Sequence, residues 1–358
     1  VMNKIIITGT SRGIGNTIAK NLLKHNITVI GISRKHTIKH KNYFAISFDL
    51  NDLNNIKNIL DDIIFNHKKI DAIISSAGYG VFENLENLPR TPCIWVSNHV
   101  HYFDWWPFRC YMEERGYTAT SIVKPRPYQY PAARWFLNTG GNIPVASRGY
   151  LIAGDFTSQI GRKPSSEEYT SINDFVRKNV PLPQTPVFEK LQEGPRNILG
   201  VPYDPQTQSY AEGLRNCYWK MGQESIRIVE EAVEADHSIH IYPQGLYSTR
   251  LTKGRIGALQ IAAQTGLPIV PIGFNGYQTV YPNPRSPFCK KCTITYRFGK
   301  AYHPKIDDLP DDFTAFHPKY EQSEKHILER ETQIAMEKIN ALLDPECQWD
   351  NNPEGDGL

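Results

Sequence analysis

The first 88 residues of this chain contain no proline, no tryptophan and no cysteine, although the 358-residue sequence has 25, six and six of them. Asn, Ile and Lys supply 38 of those 88 residues but only 45 of the remaining 270. No flexible linker marks the break, because Pro89 is followed directly by an apolar stretch. The absences predict two modules of different origin, at 1–88 and 90–345, followed by a polar tail at 346–358.

Other features that the sequence lacks exclude whole classes of protein. No apolar run reaches the roughly 18 residues of a membrane span, and the start lacks a signal-peptide pattern. A formal charge of +3 is too small to indicate nucleic acid as a partner. Cys289 and Cys292 have metal-ligand spacing, but no second cysteine pair follows, so we expect no metal. We expect a cytoplasmic protein, with a membrane surface as a further location.

A glycine-rich turn lies between the first predicted strand, at 4–8, and a predicted helix at 14–25. Gly9, Gly13 and Gly15 form this turn. A backbone without Cβ atoms approaches a pyrophosphate closely, and the positive end of the helix points at the anion. The alternation of strand and helix then repeats, which predicts the first half of a doubly wound sheet with a dinucleotide site.

The amino-terminal segment resembles the short-chain dehydrogenase/reductase family over about residues 3–88. The resemblance rests on the glycines, on Asp49 and on Ser-Ser-Ala-Gly at 75–78 in place of Asn-Asn-Ala-Gly. It implies NADP, with Arg12 and Arg34 at the 2′-phosphate; solvated surface arginines are the alternative. The family's reaction also needs a tyrosine with a lysine four residues later, and this segment holds no such pair. We therefore expect no dehydrogenase activity.

His99 and Asp104 stand five residues apart, after a predicted strand at 93–97. On one helix they would point about 140° apart, so they meet only if His99 lies in the turn and Asp104 near the helix start. Pro107 suits the first turn of that helix. A neutral imidazole would then accept a proton from a hydroxyl, while the carboxylate fixes its tautomer. The alternative is a capping aspartate beside an unrelated histidine.

From residue 91 onward the chain resembles the glycerolipid acyltransferases of the lysophosphatidate acyltransferase superfamily. His99 and Asp104 match the first of four ordered blocks, and residues 141–148 match the second, whose Arg148 would bind the acceptor phosphate. A surface ion pair is the alternative for Arg148. The resemblance implies transfer of a fatty acyl group from acyl-CoA or acyl-carrier protein to a lysophospholipid or glycerol phosphate hydroxyl, with His99 as base. Acyl transfer of this kind requires no cofactor.

The third block departs from the family pattern Pro-Glu-Gly-Thr-Arg-Ser. Agreement is limited to Pro243, Gly245 and Ser248. Gln244 replaces the glutamate and Tyr247 replaces the arginine, which removes a carboxylate and a cation from the expected acceptor pocket.

A replacement cation would come from Arg250, Lys253 or Arg255. Residues 154–215, between the second and third blocks, are rich in Pro, Ser, Gln and charge and read as an insertion. This insertion is either a lid that selects the substrate or a surface excursion without a catalytic role.

The predicted fold is an acyltransferase-like α/β core preceded by an incomplete doubly wound Rossmann-like half. The predicted function is glycerolipid-type O-acyl transfer. Two alternatives remain: an NADP-dependent oxidoreductase of the short-chain dehydrogenase type, and a nucleotide- or lipid-binding protein without enzymatic activity.

Overall fold

The computed structural model describes residues 4–349 except 51, 53, 75–79, 103, 140 and 281–292. Its strands form a four-stranded sheet, a seven-stranded sheet and a two-stranded hairpin, and helices pack against them. The prediction of a mixed α/β fold with parallel sheets is confirmed.

The amino-terminal sheet is the first half of a doubly wound fold. Its elements are β1 (Lys4–Thr8), α1 (Gly13–Lys24), β2 (Thr28–Ser33), β3 (Tyr43–Ser47), α2 (Ile56–His67) and β4 (Ala72–Ile74). All four strands are parallel, in the order β3-β2-β1-β4, and apolar clusters cover both faces. Phe65 and Ile73 nevertheless remain 83% and 63% exposed. Such large exposed apolar side chains fit a sheet that lacks its second half.

The rest of the chain builds one larger sheet and a helical unit. In chain order its elements are β5 (Gly80–Glu83), β6 (Ile94–Ser97), α3 (Trp105–Glu113), β7 (Ala119–Val123), α4 (Pro131–Thr139), β8 (Ile143–Pro144), α5 (Arg148–Ile160), α6 (Ser166–Lys178), α7 (Pro186–Gln192), β9 (Arg196–Ile198), β10 (Val201–Tyr203), α8 (Tyr210–Glu234), β11 (Ser238–Ile241), α9 (Gly257–Thr265), β12 (Ile269–Asn275), α10 (Tyr277–Val280), β13 (Ile294–Phe298), α11 (Tyr320–Ser323) and α12 (Lys325–Asn340).

The seven strands of the larger sheet have the order β5-β13-β12-β6-β11-β7-β8. The five strands from β12 to β8 run parallel, and β13 is antiparallel to β12. Side chains alternate across the sheet, so Trp95 joins the core on the α3 face while Ile94 and Val96 join the core on the opposite face. Both faces are therefore covered, as parallel strands require.

The chain passes from the first sheet to the second before its composition changes. Strand β5 precedes the compositional break near Leu88, yet it pairs with β13 of the larger sheet. The chain therefore leaves the first sheet after Ile74 and enters the second at Gly80. Composition does not reveal this crossover, because edge pairing depends on backbone hydrogen bonds made more than 200 residues away.

The predicted insertion at 154–215 is a folded helical unit with its own apolar core, built from α5 to α8 and the β9–β10 hairpin. Its interior contains an ion pair in which Arg196 donates to both oxygens of Asp155 at 3.0 and 2.9 Å. The Tyr210 hydroxyl donates to the same carboxylate at 2.8 Å. This satisfied network fixes the hairpin against α5 and α8.

The carboxy-terminal segment is packed where the structure describes it. Cys347 is fully buried in the larger core, and its carbonyl accepts the backbone N–H of Leu251 at 2.8 Å. The first residues of the predicted tail at 346–358 are therefore anchored by a buried cysteine and a backbone hydrogen bond. Residues 350–358 lie outside the described part. Within the described residues, no helix is both long and apolar enough to cross a membrane.

Replacing Asp155 should unfold the helical unit at lower denaturant concentration. Asp155→Ala leaves the buried Arg196 guanidinium without its carboxylate, which typically costs about 3–5 kcal/mol. Urea unfolding monitored by circular dichroism measures the effect. Glu224→Ala is the matched control, because the Glu224–Arg227 pair is exposed and should contribute less than about 1 kcal/mol. Equal effects of the two substitutions would contradict the assigned role.

Candidate functional site

The three sequence blocks meet at one edge of the larger sheet. His99 follows β6, Pro243 follows β11 and Arg148 follows β8, and these strands are parallel. Their carboxyl ends therefore lie at the same edge, where open α/β sheets bind ligands. Strands β6 and β8 are not neighbours, since β11 and β7 lie between them in the sheet.

His99 and Asp104 form the contact that their spacing predicts. The Nδ1 atom of His99 lies 3.1 and 3.0 Å from the two carboxylate oxygens of Asp104. The backbone N–H groups of Val100 and His101 donate to Asp104 Oδ2 at 2.9 and 3.0 Å. Asp104 is completely buried, whereas 17% of the His99 side chain is exposed. With Nδ1 bound to the carboxylate, Nε2 is the ring nitrogen left for chemistry.

The electrostatics keep Asp104 ionised. Burial by itself raises the pKa of this carboxyl, but the charge of His99 and the hydrogen bonds from His99 and from the His101 backbone outweigh it, and the pKa is lowered. Tyr242 also stacks on the His99 ring, with centroids 4.1 Å apart and planes 20° apart. Tyr242 therefore packs directly on the imidazole, although the sequence analysis gave it no role.

Two amide side chains hold the turn that carries His99. Asn98 donates to the Phe274 carbonyl at 2.9 Å and accepts the Phe274 N–H at 2.7 Å, which ties the turn to β12. Gln244 Oε1 accepts the backbone N–H of His99 at 2.8 Å, and Gln244 Nε2 donates to Thr252 at 3.1 Å. Gln244 is buried, and both ends of its amide support the turn. An amide suits this place because it both accepts and donates.

The other residues of the third block shape a tight loop. Pro243 accepts the backbone N–H of Arg255 at 2.9 Å, and the Ser248 N–H donates to the His99 carbonyl at 2.8 Å. Gly245 has a φ of 70°, and a Cβ atom there would lie 2.9 Å from Arg255 Nε. Arg255 is thus packed against the loop. Tyr247, in place of the family's arginine, meets the His99 ring edge-on at 5.9 Å.

The three candidate cations after the third block differ in placement. Arg250 donates to the Gln348 carbonyl at 3.4 Å, toward the carboxy-terminal segment. Lys253 is exposed. Arg255 contacts the loop, and its charge helps to lower the pKa of Lys124, second to burial. Of these three candidates, Arg255 packs directly against Gly245 of the third block.

Arg148 begins α5, immediately after the cap residue Ser147. Its guanidinium lies over the Tyr218 ring, 5.0 Å from the centroid. Burial lowers the pKa of Arg148, and the charges of Arg177 on α6 and Arg215 on α8 lower it further. The helical unit therefore adds two cations whose charges act on Arg148. Sequence reasoning missed both, because only the fold brings them together.

The glycine turn has the backbone form that a phosphate cradle needs. Gly13 has a φ of 58°, a left-handed value that favours glycine. A Cβ atom at Gly15 would lie 2.5 Å from the Gly9 carbonyl oxygen, so only glycine permits this close packing of helix on strand. Arg12, Arg34 and Asp49 are all exposed around the turn. The turn therefore has the predicted shape.

The tyrosine–lysine spacing of the dehydrogenase reaction occurs once in the chain, at Tyr296 and Lys300. Tyr296 lies on β13 of the larger sheet, is fully buried and bonds the Tyr277 hydroxyl at 2.8 Å. It belongs to the core of the second module and not to the sheet with the glycine turn. This pair therefore does not complete a dehydrogenase site.

Two motifs lie outside the described residues, namely 75–78 and the Cys289–Cys292 pair. Elsewhere in the described chain, no group of three or more His, Cys, Asp and Glu side chains is arranged to hold a metal ion.

Two enzyme families match this chain. The short chain dehydrogenase model matches residues 3–94, and the acyltransferase model matches residues 81–171. The matches overlap between 81 and 94, a stretch that begins within β5 and ends at the first residue of β6, both of which belong to the larger sheet. The acyltransferase match includes His99, Asp104 and Arg148, so the recognised family segment contains the first two blocks.

Curated relatives match the amino-terminal segment. A probable short-chain type dehydrogenase/reductase, VdlC of Helicobacter pylori, is 34% identical over 88 residues, which are 24% of this chain and 32% of that protein. A benzil reductase of Bacillus cereus is 35% identical over 89 residues, or 22% of this chain and 36% of the relative. The chain thus spans about a third of the length of the curated relatives it matches.

Solved structures with a local likeness are also short-chain dehydrogenases. One from Leptospira borgpetersenii, with bound NAD+, is 15% identical, covers 48% of this chain and 82% of its own, and has a TM-score of 0.22. One from Francisella tularensis is 14% identical, covers 67% and 97%, and also has a TM-score of 0.22.

Asp104 should make the free energy of unfolding depend on pH under acidic conditions. Its pKa is lower in the folded protein than in the unfolded chain, so its contribution is fully present above the unfolded pKa of about 3.9 and is lost as pH falls through the folded value. We expect the free energy of unfolding of the native protein to fall more steeply below pH 4 than that of Asp104→Asn. Urea unfolding at successive pH values measures both slopes. Parallel curves would contradict the depressed pKa.

Proposed function

We propose that the second module transfers an acyl group from a thioester donor, acyl-CoA or acyl-carrier protein, to the hydroxyl of a phosphate-bearing lipid acceptor. One observation carries the proposal: a partly exposed imidazole is held through Nδ1 by a buried, ionised carboxylate at the ligand-binding edge of a parallel sheet. The acyltransferase model, which matches residues 81–171, supports the same reaction class.

In this mechanism Nε2 of His99 is the general base. It accepts the proton of the acceptor hydroxyl while that oxygen attacks the thioester carbonyl. The tetrahedral intermediate then collapses, the carbon–sulfur bond breaks, and the imidazolium returns the proton to the leaving thiolate. Asp104 fixes the tautomer and stabilises the imidazolium. Tyr242 limits rotation of the imidazole by stacking on it. Proton transfer of this kind contributes about 10² to 10⁴ in rate.

The acceptor phosphate would bind at Arg148, supported by Arg177 and Arg215. A guanidinium binds phosphate through two parallel hydrogen bonds, and neighbouring cations strengthen the attraction for an anion. Burial is the main cause of the lowered pKa of Arg148, and the further lowering by Arg177 and Arg215 supports a role for all three charges. They supply positive charge that the third block lacks, since Tyr247 stands in place of an arginine.

Hydride transfer by the amino-terminal segment is not favoured. Its relatives are oxidoreductases, but the segment spans about a third of their length and contains no tyrosine–lysine pair for proton transfer. A binding role without catalysis is also less favoured than acyl transfer. It gives no reason for an ionised carboxylate buried against an imidazole. The acyl-transfer assay below separates these possibilities.

Replacing His99 should abolish most acyl transfer. His99→Ala removes the base, and we expect kcat to fall by about 10² to 10⁴ without unfolding. Release of thiol from acyl-CoA in the presence of lysophosphatidate measures the rate, with acyl-carrier protein as a second donor. His326→Ala is the matched control, since His326 is exposed on α12. Undiminished transfer by His99→Ala would overturn the proposal.

Replacing Arg148 should weaken binding of the acceptor and leave binding of the acyl donor unchanged. Arg148→Ala should raise KM for lysophosphatidate at least tenfold and leave KM for the acyl donor unchanged. Arg215→Ala should produce a smaller effect in the same direction. Monoacylglycerol, which lacks the phosphate, should show no difference between native and variant enzymes. Arg227→Ala, an exposed arginine on α8, serves as control. An equal loss with the phosphate-free acceptor would exclude phosphate binding by Arg148.

A further inference from the structure

Four exposed apolar side chains lie at the edge of the larger sheet where β6, β11 and β7 end. Tyr102 is in the turn after β6, and Leu246 is in the loop after β11. Tyr130 and Trp135 lie between β7 and β8. They are four of the six large exposed apolar side chains among the described residues of the second module. Such side chains, gathered at one edge and left in water, mark a surface that meets a partner.

The stretch between β7 and β8 begins and ends at this edge. Strand β8 pairs only with the last two residues of β7, so the chain leaves the sheet and rejoins it at the same level. Within this stretch, Trp135 and the buried Leu137 are about 200° apart on α4, and Trp135 therefore points away from the core. Tyr130 and Trp135 remain 62% and 65% exposed.

The chain segments that form these loops contain no acidic residue. Residues 115–154 and 237–306 hold 14 of the 40 Lys and Arg residues of the chain and none of its 37 Asp and Glu residues. Lys124, Arg126 and Lys253 are exposed on the loops after β7 and β11. These loops therefore present positive charge without a carboxylate of their own, although the whole chain has a formal charge of only +3.

Exposed aromatic rings beside cations match the surface of a membrane. Trp and Tyr settle at the depth of the lipid headgroups, because the ring is apolar and its N–H or O–H stays hydrated. Each Lys or Arg near the surface adds attraction to anionic lipids. The apolar side chains come from three separate loops along the sheet edge, which suits a broad surface such as a bilayer. An acidic carrier protein offers the same charge without the lipid phase, and the experiment separates the two partners.

We propose that this edge of the larger sheet docks the protein on an anionic lipid bilayer. The docking residues are Tyr102, Lys124, Arg126, Tyr130, Trp135 and Leu246. Docking turns the edge that carries His99 toward the lipid, so that a lipid acceptor reaches the base from the bilayer. That consequence rests on the proposed acyl transfer, whereas the docking itself does not.

The test is sedimentation of the full chain with vesicles. Phosphatidylcholine vesicles with about one third phosphatidylglycerol should bind the native chain at least tenfold more tightly than pure phosphatidylcholine vesicles, and added salt should weaken the binding. Trp135→Ser and Arg126→Gln should each weaken it at least threefold. Phe65→Ser and Arg227→Gln are the matched controls, since they change an exposed aromatic on α2 and an exposed arginine on α8. Circular dichroism verifies that every variant is folded.

His99→Ala should bind the vesicles as the native chain does, so a failure of acyl transfer is distinguishable from a failure of docking. Equal binding to both kinds of vesicle, or to neither, would overturn the proposal, and so would native-like binding by Trp135→Ser. Binding of an acidic carrier protein through Trp135, with no binding of vesicles, would assign the edge to a protein partner and overturn it too.

The acceptor gives a second readout. Trp135→Ser should raise KM for lysophosphatidate presented in anionic vesicles and leave KM for a soluble short-chain lysophosphatidate unchanged. An equal rise for both acceptors would place Trp135 in the acceptor pocket and contradict docking.

Discussion

A carboxylate without solvent contact organises the centre of this protein. Asp104 is completely buried, and an ionised carboxylate in that position costs several kcal/mol unless hydrogen bonds compensate for lost water. The compensation comes from His99 and from two backbone N–H groups of the preceding turn. These bonds form only when residues 98–101 adopt one conformation. The turn, the start of α3 and the orientation of the imidazole are thus consequences of one buried charge.

Side chains bonded to both neighbouring strands fix that turn at the edge of the sheet. Asn98 ties it to β12 and Gln244 ties it to the loop after β11, so neighbouring strands on both sides hold it. Gln244 replaces a residue that the family pattern gives as glutamate, and its amide satisfies the His99 backbone and Thr252 together. The departure that seemed to alter the acceptor pocket therefore acts on the support of the turn.

Most of the fold could be predicted from local pattern. The first strand is found at 4–8 as predicted, and the parallel order of the first sheet follows from the alternation of short apolar runs and amphipathic helices. The pairing of β5 with β13 could not be predicted, because its partner lies far along the chain and both strands are short. The cluster of Arg148, Arg177 and Arg215 was hidden for a similar reason. Each arginine belongs to a separate helix, and the packing of α5, α6 and α8 alone unites them.

The sequence by itself determined the two modules, the glycine turn and the five-residue separation of His99 and Asp104, because composition, periodicity and spacing are local properties. Tertiary structure alone decided what surrounds them. It stacked Tyr242 on the imidazole and bonded Gln244 to the His99 backbone. Each of these contacts joins residues from different elements, and their positions depend on how whole strands and helices pack. A sequence pattern alone does not reveal that packing.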